Sequence, residues 1–478
     1  MINIFNDYFV SVFTPASDFT IQDDNRNPPL LALSQIAITT EDVCRILGSL
    51  SSKSSVDNDN LSYKILKEGG VILAEFLAYL FSLSLRICRI PSAWKVAIVS
   101  PIHKGGPKNV VSNYRPISVT SCCCRVLERI VRNKINDFLF NRHFITDSQH
   151  GFVSGRSTDT MLLKFYDYVT DKVDNGMIVD SVFFDFSKAF DVIPHNILIS
   201  RLESSGILGN VLLWIKDFLS NRQQMVRIGH VSSNLLPVTS GVIQGSVLGP
   251  TLFNIFINDI DTHVKYCTVL KYADDLRIFL SSTKSDIELG DLQRKVQQDI
   301  NSITKWACVS GMKFNINKCF YTTFGRSLYG RTYFINENII PYSLHFRDLG
   351  VMVSSPLSFN NHIDSIVSKA FVRLGLIYKV FENKSAKSIP HLFKAFVRPI
   401  LEYSSIIWNP YTVCNINKIE RVQRRMCRMI PVIRHLPYRD QLKSLNLYSL
   451  QTHRLRYQLI MIFKLFKQMT GLEFNDIT

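Results

Sequence analysis

Apolar positions recur at helical spacing from Met1 to about Ile90, broken by the Ser-rich stretch Ser51–Ser55 and the polar run Val56–Asn60. The chain is therefore expected to open with a small helical lead-in carrying one loop. Trp94–Ile102 is a short β-rich run ending at Gly105-Gly106-Pro107, and Val126–Phe140 is amphipathic at helical period. Ile178–Phe186 is nearly unbroken apolar sequence, rich in β-branched and aromatic residues, which predicts a central strand buried on both faces, and it ends in an acid, Asp185. Val211–Leu219 reads as a helix, and Met225–Ile228 with Leu235–Thr239 as a hairpin around Gly229–Asn234. Gly249-Pro250 opens a helix reaching Ile260, with proline at the first turn where its missing N–H costs nothing. Val269–Tyr272 and Leu276–Leu280 form two strands around Ala273-Asp274-Asp275, Asp286–Cys308 a long helix, Cys319–Val353 short strands, and Asn361 onward helices again. No fixed-period repeat is found, and the order of elements predicts an α+β fold.

Length adds that one core cannot serve the whole chain, because single cores stop growing at roughly 250–300 residues and this chain has 478. Hydrophobic residues at 46% and charged residues at 20% exclude wholesale disorder. Fifty-five Lys and Arg against 39 Asp and Glu give a net charge of +16, which favours a polyanionic partner such as nucleic acid over mere solubility. The ten cysteines include no C-x-x-C pair and no Cys/His group at zinc spacing, so they read as reduced residues of an intracellular protein, nuclear or cytoplasmic. Cys122, Cys123 and Cys124 are consecutive; neighbours on a helix point about 100° apart, so small buried side chains are expected there rather than a metal site. The opening MINIFNDYFVSVF shows no secretory pattern. The most apolar window, Val71–Ile90, is broken by Glu75, Arg86 and Arg89 and reads as a core helix rather than a membrane span.

Chemistry enters with the acid ending VFFDF and the acid pair in YADD. Alone, Asp185 reads as a cap and Asp274-Asp275 as an ordinary hairpin tip, since Asp tolerates turn geometry. Together they meet the need of two-metal phosphoryl transfer, which requires carboxylates converging on two Mg²⁺ roughly 3.5–4 Å apart. Adjacent strands of one sheet can supply that convergence.

In chain order, FFDFSKAFDVIPH, SGVIQGSVLGPTLFNIFIND and YADDLRIF resemble motifs A, B and C of the reverse transcriptases of non-LTR (LINE-type) retrotransposons, notably the jockey-like lineages. PIHKGG and NYRPISV resemble the fingers motifs, QHGFVSGRSTDTML the segment before the palm, GMKFNINKC motif D, and FRDLGVMV the palm-to-thumb transition. The likeness runs from about Pro91 to Ser354 and is weaker on both sides. It implies a right-hand polymerase: a helical N-terminal extension over 1–90, fingers and a palm with an antiparallel sheet over 91–354, and a helical thumb with a C-terminal extension over 355–478. It also implies an RNA-directed DNA polymerase that uses an RNA template, a DNA primer, dNTPs and two Mg²⁺, with Mn²⁺ able to substitute, and no membrane.

Carried over by motif, the resemblance makes Asp185, Asp274 and Asp275 the metal ligands, assisted by the Phe186 carbonyl. Phe190 falls at the steric gate against a ribose 2′-hydroxyl, and Arg115 at the fingers arginine that grips the triphosphate, with Lys104 adding charge. Gln244 and Gly245 match the Q-G beside nucleotide and template base, and Lys318 the lysine suggested to protonate pyrophosphate. Without the resemblance, Phe190 is a core phenylalanine and the three cations are solvated. Asp191, ahead of Val192-Ile193-Pro194-His195, reads as a brace or cap and stands outside the metal set.

The chain departs from the family pattern where relatives read G-V-P-Q-G: Ile243 removes a fixed φ and predicts a looser loop under Gln244. In the lead-in, Lys53-Ser54-Ser55-Val56-Asp57 lacks the usual glycine and prolines, and is expected to be more mobile. No endonuclease precedes Met1 and no cysteine-rich module is found, so unaided transposition is not expected. Toward the end, LFKAFVRPILEYSSIIWNP and IERVQRRMCRMI also recur in the family. Arg421, Arg424, Arg425 and Arg428 share a helix face, which is either solvated or grips nucleic acid. The competing reading is a decayed or co-opted polymerase fold that only binds nucleic acid; an RNA-templated RNA polymerase is a third, opposed by Phe190.

Overall fold

A computed structural model describes residues 2–14, 31–52, 56–57, 59–283, 285–325, 330–382 and 384–472, so Lys53–Ser55 of the lead-in loop lie outside it. Its strands are β1 (Val96–His103), β2 (Tyr114–Val119), β3 (Ile178–Phe184), β4 (Arg222–Ile228), β5 (Val231–Ser232), β6 (Leu236–Val238), β7 (Thr268–Tyr272), β8 (Asp275–Ser282), β9 (Phe320–Phe324), β10 (Tyr333–Ile335), β11 (Asn338–Ile340), β12 (His345–Asp348) and β13 (Val351–Ser354). With the helices between and after them, they make an α+β fold.

An antiparallel sheet in the order β7-β8-β3-β9 forms the centre. Every residue of β3 is buried, because helices cover both sheet faces. Val179 and Phe183 pack with Phe165 and the C-terminal helices, whereas Ile178, Val182 and Phe184 pack with the helices Gly249–Ile257 and Asp286–Val309. The second sheet runs β2-β1-β4, with β5 and β6 also paired to β4. The predicted hairpin forms with a tighter turn: Arg227↔Ser232 and Ile228↔Val231 pair within the expected loop, and β6 pairs with Arg222–Gln224, from Arg222↔Val238 to Gln224↔Leu236. Its first strand starts earlier than expected and also pairs in parallel with β1, from Val96↔Gln223 to Val99↔Val226.

The lead-in is helical, and it shares its core with the middle of the chain: the Trp214 indole donates to Ser84 Oγ at 3.0 Å. The helix Gly70–Arg86 buries Ala74, Leu77, Phe81 and Leu85, but Ile72, Phe76 and Tyr79 are exposed, so the core-helix expectation holds for one face only. Among the described residues no helix is long and apolar enough to cross a membrane. Cys122, Cys123 and Cys124 are buried at the start of the helix Cys122–Asn141, whose Cys122 N–H donates to Asp57 Oδ2 at 2.6 Å.

β8 is tied to the β12–β13 hairpin by a buried ion pair, Arg277 with Asp348, one contact of which is 2.7 Å; the Tyr166 hydroxyl donates to the same carboxylate at 2.9 Å. From Asn360 onward the chain is helical.

Candidate active site

β3 and β8 pair from Ile178↔Ser282 to Phe184↔Leu276, and one further step of that register sets Asp185 across from Asp275. Asp274 lies beside it in the two-residue turn between β7 and β8. The other turn residue, Ala273, has φ +55°, a conformation that costs an L-residue roughly 1–2 kcal/mol. A neighbouring segment holds the turn in place. Gln149 Oε1 accepts from the Ala273 N–H at 2.9 Å and from the Gly151 N–H at 2.8 Å. The His150 N–H donates to Lys271 O at 2.8 Å, and the Lys271 N–H to Ser148 O at 2.7 Å. A Cβ on Gly151 would fall 2.3 Å from Ala273 N, so the two backbones touch as closely as glycine permits. The sequence offers Gln149-His150-Gly151 as a motif without a task; its task is to brace the acid turn.

The three acids feel one another. Burial first, then Asp185, pushes the Asp274 carboxyl up; burial first, then Asp274, pushes Asp275 up to about 6. Asp185 Oδ1 and Oδ2 accept from Lys318 Nζ at 3.1 and 3.0 Å. The strand end carrying Asp185 is anchored to the GMKFNINKC segment: Asp185 O accepts from the Asn315 N–H at 2.7 Å, and the Ser187 N–H donates to Lys313 O at 2.8 Å. Among the described residues no three His, Cys, Asp or Glu side chains already converge as a metal cage, and an ammonium group holds Asp185 instead. Buried carboxylates whose charges push Asp274 and Asp275 up nonetheless fit a hard divalent cation, which would relieve that repulsion.

Cations face the acids. Burial, then Lys188, Lys318 and Arg115, hold the Lys104 ammonium below its ordinary value, while Asp185 pulls the other way. Lys188 is likewise lowered by burial, then by Lys318 and Arg115, with Asp191 opposing. Arg115 pairs with Ile102 across β1–β2 and is exposed. The sequence motifs assign Lys188 no role. It sits at φ +52° with Nζ 5.2 Å from the Tyr8 ring centroid, which draws the N-terminal helix to the site.

Phe190 is stacked on Phe253, centroids 4.3 Å apart, and is half-buried. Asp191 is buried and lies outside the acid cluster, as expected, but it braces the loop of Gln244 rather than the turn that follows it. Its Oδ1 accepts from Gln244 Nε2 at 2.8 Å, and its carbonyl from Ser240 Oγ at 2.7 Å; burial pushes its carboxyl up to about 6. The loop expected to be looser for Ile243 is tied by backbone bonds on both sides of that residue. The Gly241 N–H donates to Ile193 O at 2.8 Å, the Val242 N–H to Phe190 O at 2.7 Å, and the Ser118 N–H to Gln244 O at 2.8 Å. Gly245, at φ +106°, lies so close to Ser118 O that a Cβ would fall 2.6 Å from it.

The arginine face needs a correction. Arg421, Arg425 and Arg428 are exposed on the helix Val413–Arg428, whereas Arg424 is half-buried with its guanidinium 5.1 Å from the Tyr438 ring centroid. Helical periodicity groups Arg424 with Arg421 and Arg428 but cannot show that the next helix packs over its edge of that face.

Comparison with known proteins agrees with this geometry. The sequence profile of the family described as reverse transcriptase (RNA-dependent DNA polymerase) matches residues 102–353. The probable RNA-directed DNA polymerase from transposon BS of Drosophila melanogaster is 28% identical over 429 residues, covering 85% of this chain and 46% of that protein. The RNA-directed DNA polymerase from the mobile element jockey of the same species is 25% identical over 424 residues, with coverages of 86% and 46%. The probable polymerase from transposon X-element is 25% identical over 383 residues. The chain thus spans about half the length of the first two relatives. More than half of it matches the family profile, the acids sit together at the centre of that match, and its relatives are the non-LTR elements its motifs resemble: the chain belongs to the reverse transcriptase (RNA-dependent DNA polymerase) family.

Proposed function

We propose that this chain works as an RNA-directed DNA polymerase, extending a primer 3′-end with dNTPs along an RNA template. The observation that carries this is the β3–β8 register, which sets Asp185 across from Asp275 and beside Asp274, with Lys104, Arg115 and Lys318 facing them and Lys188 close to those cations. Asp185, Asp274, Asp275 and the Phe186 carbonyl would hold two Mg²⁺, or Mn²⁺ in their place, which when bound make the primer hydroxyl more acidic and neutralise the triphosphate. The Phe186 carbonyl suits this use because the bridge to Phe314 engages Asp185 O and the Ser187 N–H, turning the intervening carbonyl toward the β8 side.

Arg115 offers the triphosphate a permanently charged fork, and Lys104 and Lys188 add point charges. Lys318, once freed from Asp185, donates a proton to the departing pyrophosphate. Phe190, fixed against Phe253, is the wall that excludes a 2′-hydroxyl. Gln244, aimed by Asp191, and Gly245 lie along the nucleotide and template base. In this reading residues 91–175 are fingers, the palm extends to 354 and the helices beyond are the thumb, whose Arg421, Arg425 and Arg428 hold template–primer phosphates while Arg424 braces Tyr438. The test is extension of oligo(dT) on poly(rA) with dTTP and Mg²⁺ or Mn²⁺, beside Asp274→Asn/Asp275→Asn. Wild type should extend and the variant should not. Equal failure of both, with the duplex still bound, overturns the reading in favour of a non-catalytic binding protein; equal use of rNTPs overturns the substrate assignment.

A further inference from the structure

The C-terminal helices enclose a cleft of about 550 Å³, part of it open to solvent, that the polymerase reading does not use. Its walls come from the helices Ser388–Phe396, Arg398–Glu402 and Leu450–Phe466 and from the turn ahead of the last of these, and they carry Lys394, Arg398, His453 and Arg456. The acid that answers these cations is Glu402, 3.5 Å from Arg398 and 3.2 Å from His453. Lys394, Arg398 and Arg456 against Glu402 leave a net charge of about +2 with the imidazole neutral.

Three observations make this more than a solvated patch. The cations converge: burial, then Arg398, Arg456 and Lys394, hold the His453 imidazole below its ordinary value. The Arg398 fork is fixed, lying between Glu402 and His453 Nε2, which is 3.3 Å from Nη1; an arginine only donates, so the imidazole accepts there. The wall is rigid, because buried Gln423 donates to Tyr448 O at 2.8 Å and to the Tyr438 hydroxyl at 3.2 Å, locking the turn that carries Asn446 and Leu447.

We infer that this cleft is an anion site that takes backbone phosphates of a single-stranded RNA. A fixed guanidinium fork with flanking ammonium and guanidinium point charges is the chemistry that recognises a phosphate's oxygens. This rests on the proposed function, in which the exposed arginines hold the template–primer duplex: the ligand of the cleft is then a separate strand, because the cleft lies across the helix from those arginines. Gln423 is two residues from both Arg421 and Arg425, about 200° around the same helix, so the cleft lies on the side away from the exposed arginine face.

The test uses the full chain with a labelled single-stranded RNA, measuring affinity against salt, and inorganic phosphate as a separate probe in thermal melts. Lys394→Ala/Arg456→Ala removes two exposed side chains, so its melting temperature without phosphate should match wild type. The slope of log K against log salt should flatten by about 1.4, at roughly 0.7 per phosphate contact on a single strand. Inorganic phosphate should raise the melting temperature of wild type more than that of the variant. A control with the same charge loss elsewhere, Lys134→Ala/Lys305→Ala, should keep the wild-type slope. The inference is overturned if the cleft variant keeps that slope, or if the control flattens it equally. Loss of the phosphate effect with an unchanged RNA slope overturns the strand assignment. None of these measurements depends on nucleotide addition, so failure of the polymerase reading would be seen separately.

Discussion

Gly151→Ala tests whether the acid turn is held by its neighbour rather than by its own strands. The added Cβ would sit 2.3 Å from Ala273 N and 3.0 Å from both Ala273 Cα and Tyr272 C. All three are backbone atoms, so no flexible side chain can give way, and ordinary contact requires a retreat of about 1 Å. Gly151 itself cannot yield, since its carbonyl accepts from Asn254 Nδ2 at 2.8 Å and its N–H donates to Gln149 Oε1 at 2.8 Å. The turn must therefore move, and it carries Asp274 and Asp275. Overpacking of this kind costs about 1–3 kcal/mol, and a reacting group displaced by about 1 Å loses on the order of 10²-fold in rate. Thermal melts and single-nucleotide extension on poly(rA)/oligo(dT) read the two effects separately. Gly375→Ala serves as control: it lies inside the helix Asn360–Val380 with nothing within 4 Å, so it should leave extension unchanged and stabilise by up to ~1 kcal/mol. Wild-type extension by Gly151→Ala would refute the brace.

Asp191→Ala should raise the KM for dNTP roughly tenfold, one lost directing hydrogen bond to Gln244, whereas Asp191→Asn, which keeps an acceptor oxygen, should rescue most of it; equal KM values for all three would show that Gln244 needs no aiming. Asp348→Ala leaves Arg277 buried without its carboxylate and should cost about 3–5 kcal/mol in urea unfolding; a loss below about 1 kcal/mol would mean that the Phe165 and Phe183 rings beneath the guanidinium suffice. His150 is held down to about 3, by burial first, so the folded ring stays neutral while the unfolded ring takes a proton below about 6.5. Its contribution is complete above pH 6.5 and declines as pH falls toward 3, by about 1.4 kcal/mol at pH 5.5. Between pH 7.5 and 5.5 the loss of unfolding free energy in urea should be smaller in His150→Gln than in wild type by about that amount, the remainder belonging to other shifted groups such as His362; an equal loss in both would show that His150 does not carry it.

What the chain discloses in advance follows from the range of the forces involved. The unbroken apolar run of β3 and the strand–acid–strand pattern of β7 and β8 are local, and both form where the periodicity puts them. The parallel pairing of β1 with β4 is not local: hydrogen-bonding edges carry no side-chain code, and the partner lies more than a hundred residues away. Site chemistry divides in the same way. Asp185, Asp274, Asp275 and Arg115 stand out because few other residue types can do such work. Gln149, Gly151 and Lys188 do not, since glutamine, glycine and lysine are ordinary anywhere and acquire a role only through the backbone they meet. Ile243 marks the limit of a local rule: the backbone on either side of it is bonded to Ile193, Phe190 and Ser118, partners that the motif itself does not disclose. The acids therefore indicate what the site could do, while its precision rests on neighbours with no chemistry of their own. For that reason Gly151, which bears no reactive group, is the sharper test of this site than any of its aspartates.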